Sequence, residues 1–267
     1  LGDFRLELAV DPDSPDRKVE GSFSLQEFDL ALAGVFTGLE EVAGQINGRG
    51  QLSGPLMKPA VTGELVLTGG RIMDPTLPVP LEDILLQVDL NGYSADLSGR
   101  IRSNERSETT LDGSVDWSGS PRGNLAIRGS RIPVNIEPYA RSEIAPDLEV
   151  TFGEGDLAVT GEVAVPRGSI EIKSLPPQAV RVSEDEVIVG VEQEEPAIRS
   201  LKMDVTVRVG EDEVTFAAFG VKGNLEGTLR IGNDMDTRGT LQLVKGSYKA
   251  YGQELELRTA RLLFVGN

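Results

Sequence analysis

The 267-residue chain has no cysteine, no histidine, a single tryptophan, and no apolar run approaching the ~18 residues needed to span a bilayer. Without cysteine there are no disulfides and no thiolate metal sites, a composition that suits a reducing cytosol and a periplasm equally. Without histidine the commonest general base, the commonest metal ligand and every Ser/His triad are gone. No Gly-x-Ser-x-Gly elbow, phosphate loop or dinucleotide fingerprint replaces them, so an enzyme has no residue set here and neither a cofactor nor a metal is expected. Cations are scarce: 26 Lys and Arg stand against 43 Asp and Glu, a formal charge of -17. That balance works against nucleic acid and anionic membrane surfaces as partners. The opening "LGDFRLELAV" has neither the basic flank nor the continuous apolar stretch of a signal peptide. Because the chain starts at Leu1, it is expected to be an excised fragment whose targeting or membrane-anchoring segment lies outside it.

What is present is alternation. Period-two alternation of apolar and polar positions appears in "GELVLTGG" (63–70), "ILLQVDLNGYSADLSGRI" (84–101), "TTLDGSVDW" (109–117), "GNLAIRG" (123–129), "GDLAVTGEVAV" (155–165) and "GSIEIKS" (168–174). The pattern is strongest from Leu201, where Leu201, Met203, Val205, Val207 and Val209 fall on one face and Lys202, Asp204, Thr206 and Arg208 on the other. These are strands with one greasy face. The 31 glycines, well above the usual ~7%, mark frequent turns. "GED" (210–212), "VKGN" (221–224), "IGND" (231–234) and "VKGS" (244–247) are expected to close hairpins, giving an antiparallel meander. Breaks are expected at "VDPDSPDRK" (10–18), "DPTLPVPLED" (74–83), "SLPPQ" (174–178) and "VEQEEPAIRS" (191–200). Helix is limited to a turn or two in "FTGLEEV" (36–42) and in "NIEPYARSEIAP" (135–146). A Gly-x-Leu recurrence at Gly63, Gly123, Gly155, Gly223 and Gly239 has irregular spacing, which excludes a fixed-period solenoid and fits one extended sheet.

The remaining chemistry is carboxylate. Glu184, Asp185 and Glu186, then Glu192, Glu194 and Glu195, then Glu211, Asp212 and Glu213 form three clusters. A glycosidase pair or a calcium site is conceivable from such residues, but no calcium-loop spacing is matched and solvated acidic turns explain them better, as they do "GNDMD" (232–236). Trp117, Tyr248 and Tyr251 read as packing and strand-turn residues in preference to sugar platforms.

Several segments resemble the TamB family, the inner-membrane-anchored component of the translocation and assembly module of Gram-negative bacteria. The carriers are "AFGVKGNLEG" (218–227 with its preceding Ala217), "GSYKAYGQELEL" (246–257) and "LLFVGN" (262–267), with "LDGSVDWSG", "IAPDLEV", "VAVPRGSIEIKSLPPQAVRVSEDEVIV" and "EEPAI" agreeing in order upstream. The likeness is specific over residues 61–267 and weaker over 1–60, which are expected to continue the same sheet. The chain stops where family members continue, so a terminal segment linked to the outer-membrane partner is expected to be missing.

The resemblance implies an all-β fold: a long, mostly antiparallel sheet curled into an open, taco-like gutter with an aliphatic interior. It further implies a periplasmic location, with the whole protein anchored in the inner membrane and reaching the outer one. The lining would comprise Leu157, Val159, Val163, Val165, Ile170, Ile172, Val205, Val207, Val209, Val214, Phe216, Leu225, Leu229, Ile231, Leu241, Leu243, Leu255, Leu257, Leu262 and Phe264. Its implied occupants are phospholipid acyl chains, or detergent, moving between membranes. The alternative use is a chaperone-like scaffold for outer-membrane β-barrel proteins and autotransporters, working with a TamA-type barrel partner. From alternation alone a closed β-sandwich is equally good, because periodicity says that one face is covered without saying by what.

Overall fold

The computed structural model describes residues 2–11, 13, 17–31, 41–74, 77–172, 200–250 and 252–266. Sixteen strands form one sheet. They are β1 (Asp3–Val10), β2 (Lys18–Asp29), β3 (Glu41–Pro55), β4 (Ala60–Met73), β5 (Leu81–Gly92), β6 (Ser94–Asn104), β7 (Ser107–Asp116) and β8 (Arg122–Ser130), followed by β9 (Ile132–Ile136), β10 (Ala140–Gly153), β11 (Asp156–Ile172), β12 (Ser200–Ala218), β13 (Val221–Ile231), β14 (Thr237–Ala250), β15 (Gln253–Leu257) and β16 (Ala260–Val265). The sheet is an open gutter, not a barrel and not a sandwich. Nine hydrophobic residues are buried among the described ones, fewer than one per strand, whereas a second sheet would bury every second position along each strand.

Spatial order follows chain order, with antiparallel neighbours throughout except that β11 and β12 run parallel from Asp156↔Ser200 to Ile172↔Ala218. A parallel pair needs a return of a dozen or more residues, and positions 173–199, outside the described residues, are long enough to supply it. The acidic clusters at 184–186 and 192–195 and both expected breaks after β11 fall in that stretch.

Several expected turns are not turns. "GED" lies inside the 19-residue β12, "VKGN" begins β13, and "VKGS" lies inside β14. The chain reverses instead at Phe219–Gly220, both at positive φ (48° and 86°), the two-residue geometry that matches strand twist. Only "IGND" falls at a reversal, a short 3-10 turn at Asn233–Met235. The helix expected in "NIEPYARSEIAP" is absent: Asn135 and Ile136 end β9, Pro138 sits in a tight turn, and Ala140 onward is β10. Of "FTGLEEV", Glu41 and Val42 belong to β3 and the rest lies outside the described residues.

The glycine and lysine signals mistaken for turns mark bulges, and the bulges line up. Register shifts occur at Leu25/Phe28 in β2, Ala43/Gln45 in β3, Leu67/Gly70 in β4, Glu82/Leu85 in β5 and Ile101/Asn104 in β6. They continue at Arg131 between β8 and β9, Glu143/Ala145 in β10, Val165/Arg167 in β11, Val209/Thr215 in β12 and Lys222/Asn224 in β13, and end at the break separating β15 from β16. Each irregularity neighbours the next across the ladder, so together they draw one crease along the sheet. A bulge bends its strand and tightens its twist, and a row of them folds a sheet lengthwise into a trough. Burial concentrates on the inside of this crease, at Ile84, Ser107, Thr109, Ile132, Val214, Leu225 and Leu243, where the two flanks converge. The buried Ser107 hydroxyl accepts from the backbone N-H of Ser103 (3.0 Å) and Asn104 (2.9 Å), so it costs no lost hydrogen bond.

The outer face carries the charge. Arg128 meets Asp147 (3.3 Å), Lys202 meets Asp156 (3.0 Å), Arg167 meets Asp212 (3.3 Å), and Arg208 pairs with Glu162. Arg230 grips both carboxylate oxygens of Asp204 at 2.6 and 2.7 Å. That hydrogen-bonded guanidinium holds the Asp204 carboxyl below its ordinary value, and the arginine is raised in return. A depressed carboxylate stabilises the fold above its unfolded-state pKa and loses that contribution as pH falls through the folded-state value. Urea titrations across the acid range should therefore show a shallower loss of stability in Arg230→Gln than in the unaltered chain, with little difference in slope at neutral pH.

Four non-glycine residues of the crease sit at positive φ: Glu27 (49°), Asp83 (44°), Arg131 (53°) and Lys245 (50°). The left-handed region costs a residue with a Cβ roughly 1–2 kcal/mol, of which glycine's greater unfolded-state freedom returns about half. Lys245→Gly is expected to raise the urea midpoint by the equivalent of about 0.5–1 kcal/mol.

Candidate functional site

The candidate surface is the inner face itself. Cross-strand partners share a face, so the register traces it from one edge to the other. Phe4, Leu25, Gly48, Leu65, Val88, Leu97, Gly113, Leu125, Val150, Val159 and Met203 make one row. A second runs through Phe28, Ile46, Leu67, Leu86, Gly99, Leu111, Ile127, Leu148, Gly161, Val205 and Ile231. No Asp, Glu, Lys or Arg holds a place in either row, nor in the continuing rows Val163–Val207–Leu229–Gly239–Phe264 and Val165–Val209–Gly227–Leu241–Leu262. The polar exceptions among paired inner positions, including Ser107, Thr109, Ser142, Thr237 and Tyr248, are uncharged.

All twenty lining positions named from the sequence lie in described strands and on this one face. Val214, Leu225, Leu241 and Leu243 form its tightest cluster, with Val165, Ile170, Val209, Phe216, Leu229, Leu257 and Phe264 packed against it. Leu157, Val159, Val163, Ile172, Val205, Val207 and Ile231 continue the face towards and beyond the crease. Leu255 and Leu262, on the last two strands, are 56% and 47% exposed. At the other edge Phe4, Leu6, Leu8 and Val10 of β1, absent from the lining expected from the sequence, carry the same face outward and are also exposed. Between β12 and β16 the face deepens into an apolar cavity of about 280 Å3 lined by Phe216, Val221, Leu225, Leu243, Ala260 and Leu262, among others.

Glycines hold a distinct place on this face. Each tends to sit beside a large side chain on the next strand, and that side chain lies over it: Leu65 over Gly48, Phe23 over Gly50, Leu86 over Gly99 and Phe152 over Gly123. Of the glycines in the Gly-x-Leu recurrence, Gly123 and Gly223 hold such places, under Phe152 and Leu243, whereas Gly155 lies in the turn between β10 and β11. Positions two apart share a face, so a strand can offer both a notch and a knob to its neighbours: β4 places Leu65 over Gly48 of β3 and sets Gly63 opposite Leu90 of β5. The side chains thereby lie along the axis of the trough and leave it open.

The acidic cluster Glu211–Glu213, read from the sequence as solvated carboxylates, lies on the outer surface: Glu211 reaches Arg208 (3.7 Å), Asp212 reaches Arg167, and Glu213 accepts from Asn224 (3.3 Å). In "GNDMD", Asp236 pairs with Arg238 (2.9 Å) and the Asn233 side chain accepts from the Met203 backbone N-H. Among the described residues no cluster of His, Cys, Asp or Glu is arranged to hold a metal, and no helix is long and apolar enough to cross a membrane.

The fold and this face together define a class of protein: an open β-gutter whose inner face, along the rows traced above, is aliphatic and uncharged. The family model of the TamB C-terminal domain matches residues 96–267, and that of the TamB N-terminal domain matches residues 1–67. The chain belongs to the TamB family. It is 27% identical over 270 residues to the translocation and assembly module subunit TamB of Haemophilus influenzae (strain ATCC 51907 / DSM 11121 / KW20 / Rd), an alignment covering 94% of this chain and 21% of that protein. The chain thus spans about a fifth of that relative's length. No solved structure matches it.

The knob-and-notch packing is testable at Gly129, where an added Cβ would meet only side-chain atoms, Ile132 Cδ1 at 2.7 Å and Thr109 Oγ1 at 2.9 Å being nearest. Overpacking by Gly129→Ala is expected to cost about 1–3 kcal/mol, and Ile132→Val alone about 0.5–1.5 kcal/mol. Deleting Cδ1 relieves the clash, so the double variant should unfold at a higher urea concentration than the sum of the two losses requires.

Proposed function

We propose that the protein is a non-enzymatic periplasmic segment of a bridge between inner and outer membranes, which shields phospholipid acyl chains in its gutter during transport. The observation that carries this reading is the inner face, which among the described residues has no charged position in the rows that cross the ladder. Acyl chains need no directional partner, and each methylene withdrawn from water contributes about 0.8 kcal/mol, so an aliphatic floor holds a tail in any register and lets it slide. A polypeptide in the same trough would strand its backbone polar groups against a surface with almost nothing to pair them. Left empty, the trough would expose far more than the few hundred Å2 of apolar patch usual on a soluble monomer. Fourteen strands lie side by side, and at about 4.8 Å each they span roughly 60 Å.

On this reading the twenty aliphatic and aromatic residues named above are the lining, residues 1–60 extend the trough, residues 61–267 form the TamB-type domain, and the inner-membrane anchor lies elsewhere in the protein. The relative's name, a subunit of a translocation and assembly module, fits a role in that module beside a TamA-type outer-membrane barrel. A second reading, a scaffold that accepts strands of barrel proteins, is favoured by β1: its outer edge has no strand partner among the described residues, and its apolar side chains are exposed.

Leu229, between Val207 and Gly239 on the inner face, separates the two. Leu229→Asp puts a charge on the trough floor without touching β1. The expected outcome is a folded variant by circular dichroism that has lost the phospholipid seen in the unaltered protein by native mass spectrometry. Normal lipid content in the folded variant, with strand peptides crosslinking along β1, would favour the scaffold.

A further inference from the structure

A lipid carried by its tails has to keep its headgroup in water, so one lip of the trough must be built as a boundary between hydrocarbon and solvent. One lip has that construction. The turns joining β3 to β4, β5 to β6 and β7 to β8 lie together at the same ends of their strands and are tied to one another. The Lys58 ammonium sits 5.7 Å from the centroid of the Tyr93 ring and donates to the Ser118 carbonyl. The Trp117 backbone N-H donates to the Tyr93 carbonyl at 2.9 Å. Met57, at the tip of the first turn, is 94% exposed. Trp117 and Tyr93 are half-buried. Lys58 has no carboxylate partner among the described residues, in contrast to most arginines of the outer face, and the nearby Asp116 is engaged by Arg122 (3.7 Å). The lip at the other ends of these strands offers Asn104, Glu105 and Arg106 instead.

Tryptophan and tyrosine favour the level at which headgroups meet acyl chains, because one side of the ring is apolar and the N-H or O-H needs water. A lysine stem can lie on apolar surface while its ammonium meets a phosphate as a point charge. We propose that Lys58, Tyr93 and Trp117 form a headgroup station on one lip of the trough, over which the phosphate of a bound phospholipid projects while its tails point to the crease. This rests on the reading of the trough as an acyl-chain groove, and it adds an orientation: cargo crosses this stretch with its headgroups all over the same lip.

Trp117 is the chain's one tryptophan and therefore a built-in reporter. The protein is loaded with phosphatidylcholine bearing a nitroxide either on the choline or at the terminal methyl of one acyl chain, with loading verified by native mass spectrometry. The expected result is loss of most Trp117 emission with the headgroup label and little loss with the chain-end label. Equal loading with stronger quenching from the chain end, or with no quenching from either, overturns the station and leaves the groove standing. Failure to load any lipid overturns the groove and the station together. As a second readout, competition between phosphatidylglycerol and diacylglycerol should favour the phosphate lipid in the unaltered protein and lose that preference in Lys58→Gln at unchanged total lipid. An unchanged preference would remove Lys58 from the station.

Discussion

When a sheet is folded lengthwise, the side chains on its concave face are driven toward one another, and this crowding governs the rest of the molecule. The bend itself comes from bulges stacked in line from β2 to the break between β15 and β16. Inside that bend full-sized side chains at every position would collide, and the glycines remove the excess. Where Gly48 and Gly99 stand, a neighbouring Leu takes the space that a Cβ would have filled, and Ile132 does so at Gly129. Crowding of this kind also admits no charge, because a carboxylate or ammonium pressed among aliphatic chains would lose its water with no partner in reach.

The two faces therefore divide the physics between them. Outside, exposed Arg–Asp and Lys–Asp pairs bridge neighbouring strands, each a modest contribution screened by salt, and the surplus of carboxylates leaves the surface strongly negative. Inside, attraction is non-directional and tolerant of register. A surface negative on one side and featureless on the other discourages polyanions from the exterior while placing no step in the path of a hydrocarbon chain. On the proposed function, headgroup recognition has only the lips to work with, where turns bring polar and aromatic side chains to the boundary.

Much of this was legible in the chain. Alternation in "SLKMDVTVRVG" identified the face of Leu201 to Val209 correctly, since a pleat fixes side-chain direction residue by residue. Gly210 and Lys245 were misjudged as turn residues because a bulge and a hairpin both call for positive φ, and local sequence carries no sign of whether the chain then continues or reverses. After the bulge the parity changes from odd to even, so Val209 and Val214 face the same way with an interval of five. The parallel pairing of β11 with β12 had no local signal, being a property of where the chain returns. The alignment of the bulges was equally hidden: a row across many strands exists only once the register is known.

Because the crease and the meshing of glycine with leucine are set between adjacent strands, cross-section and length are independent quantities in this architecture. Inserting one more hairpin carrying its own notch and knob lengthens the trough by about 10 Å and leaves its bore unchanged. Such a fold can grow by duplication to match any gap it must cross, much as a drainpipe is cut to the height of a wall, and selection can adjust reach without re-engineering what is carried.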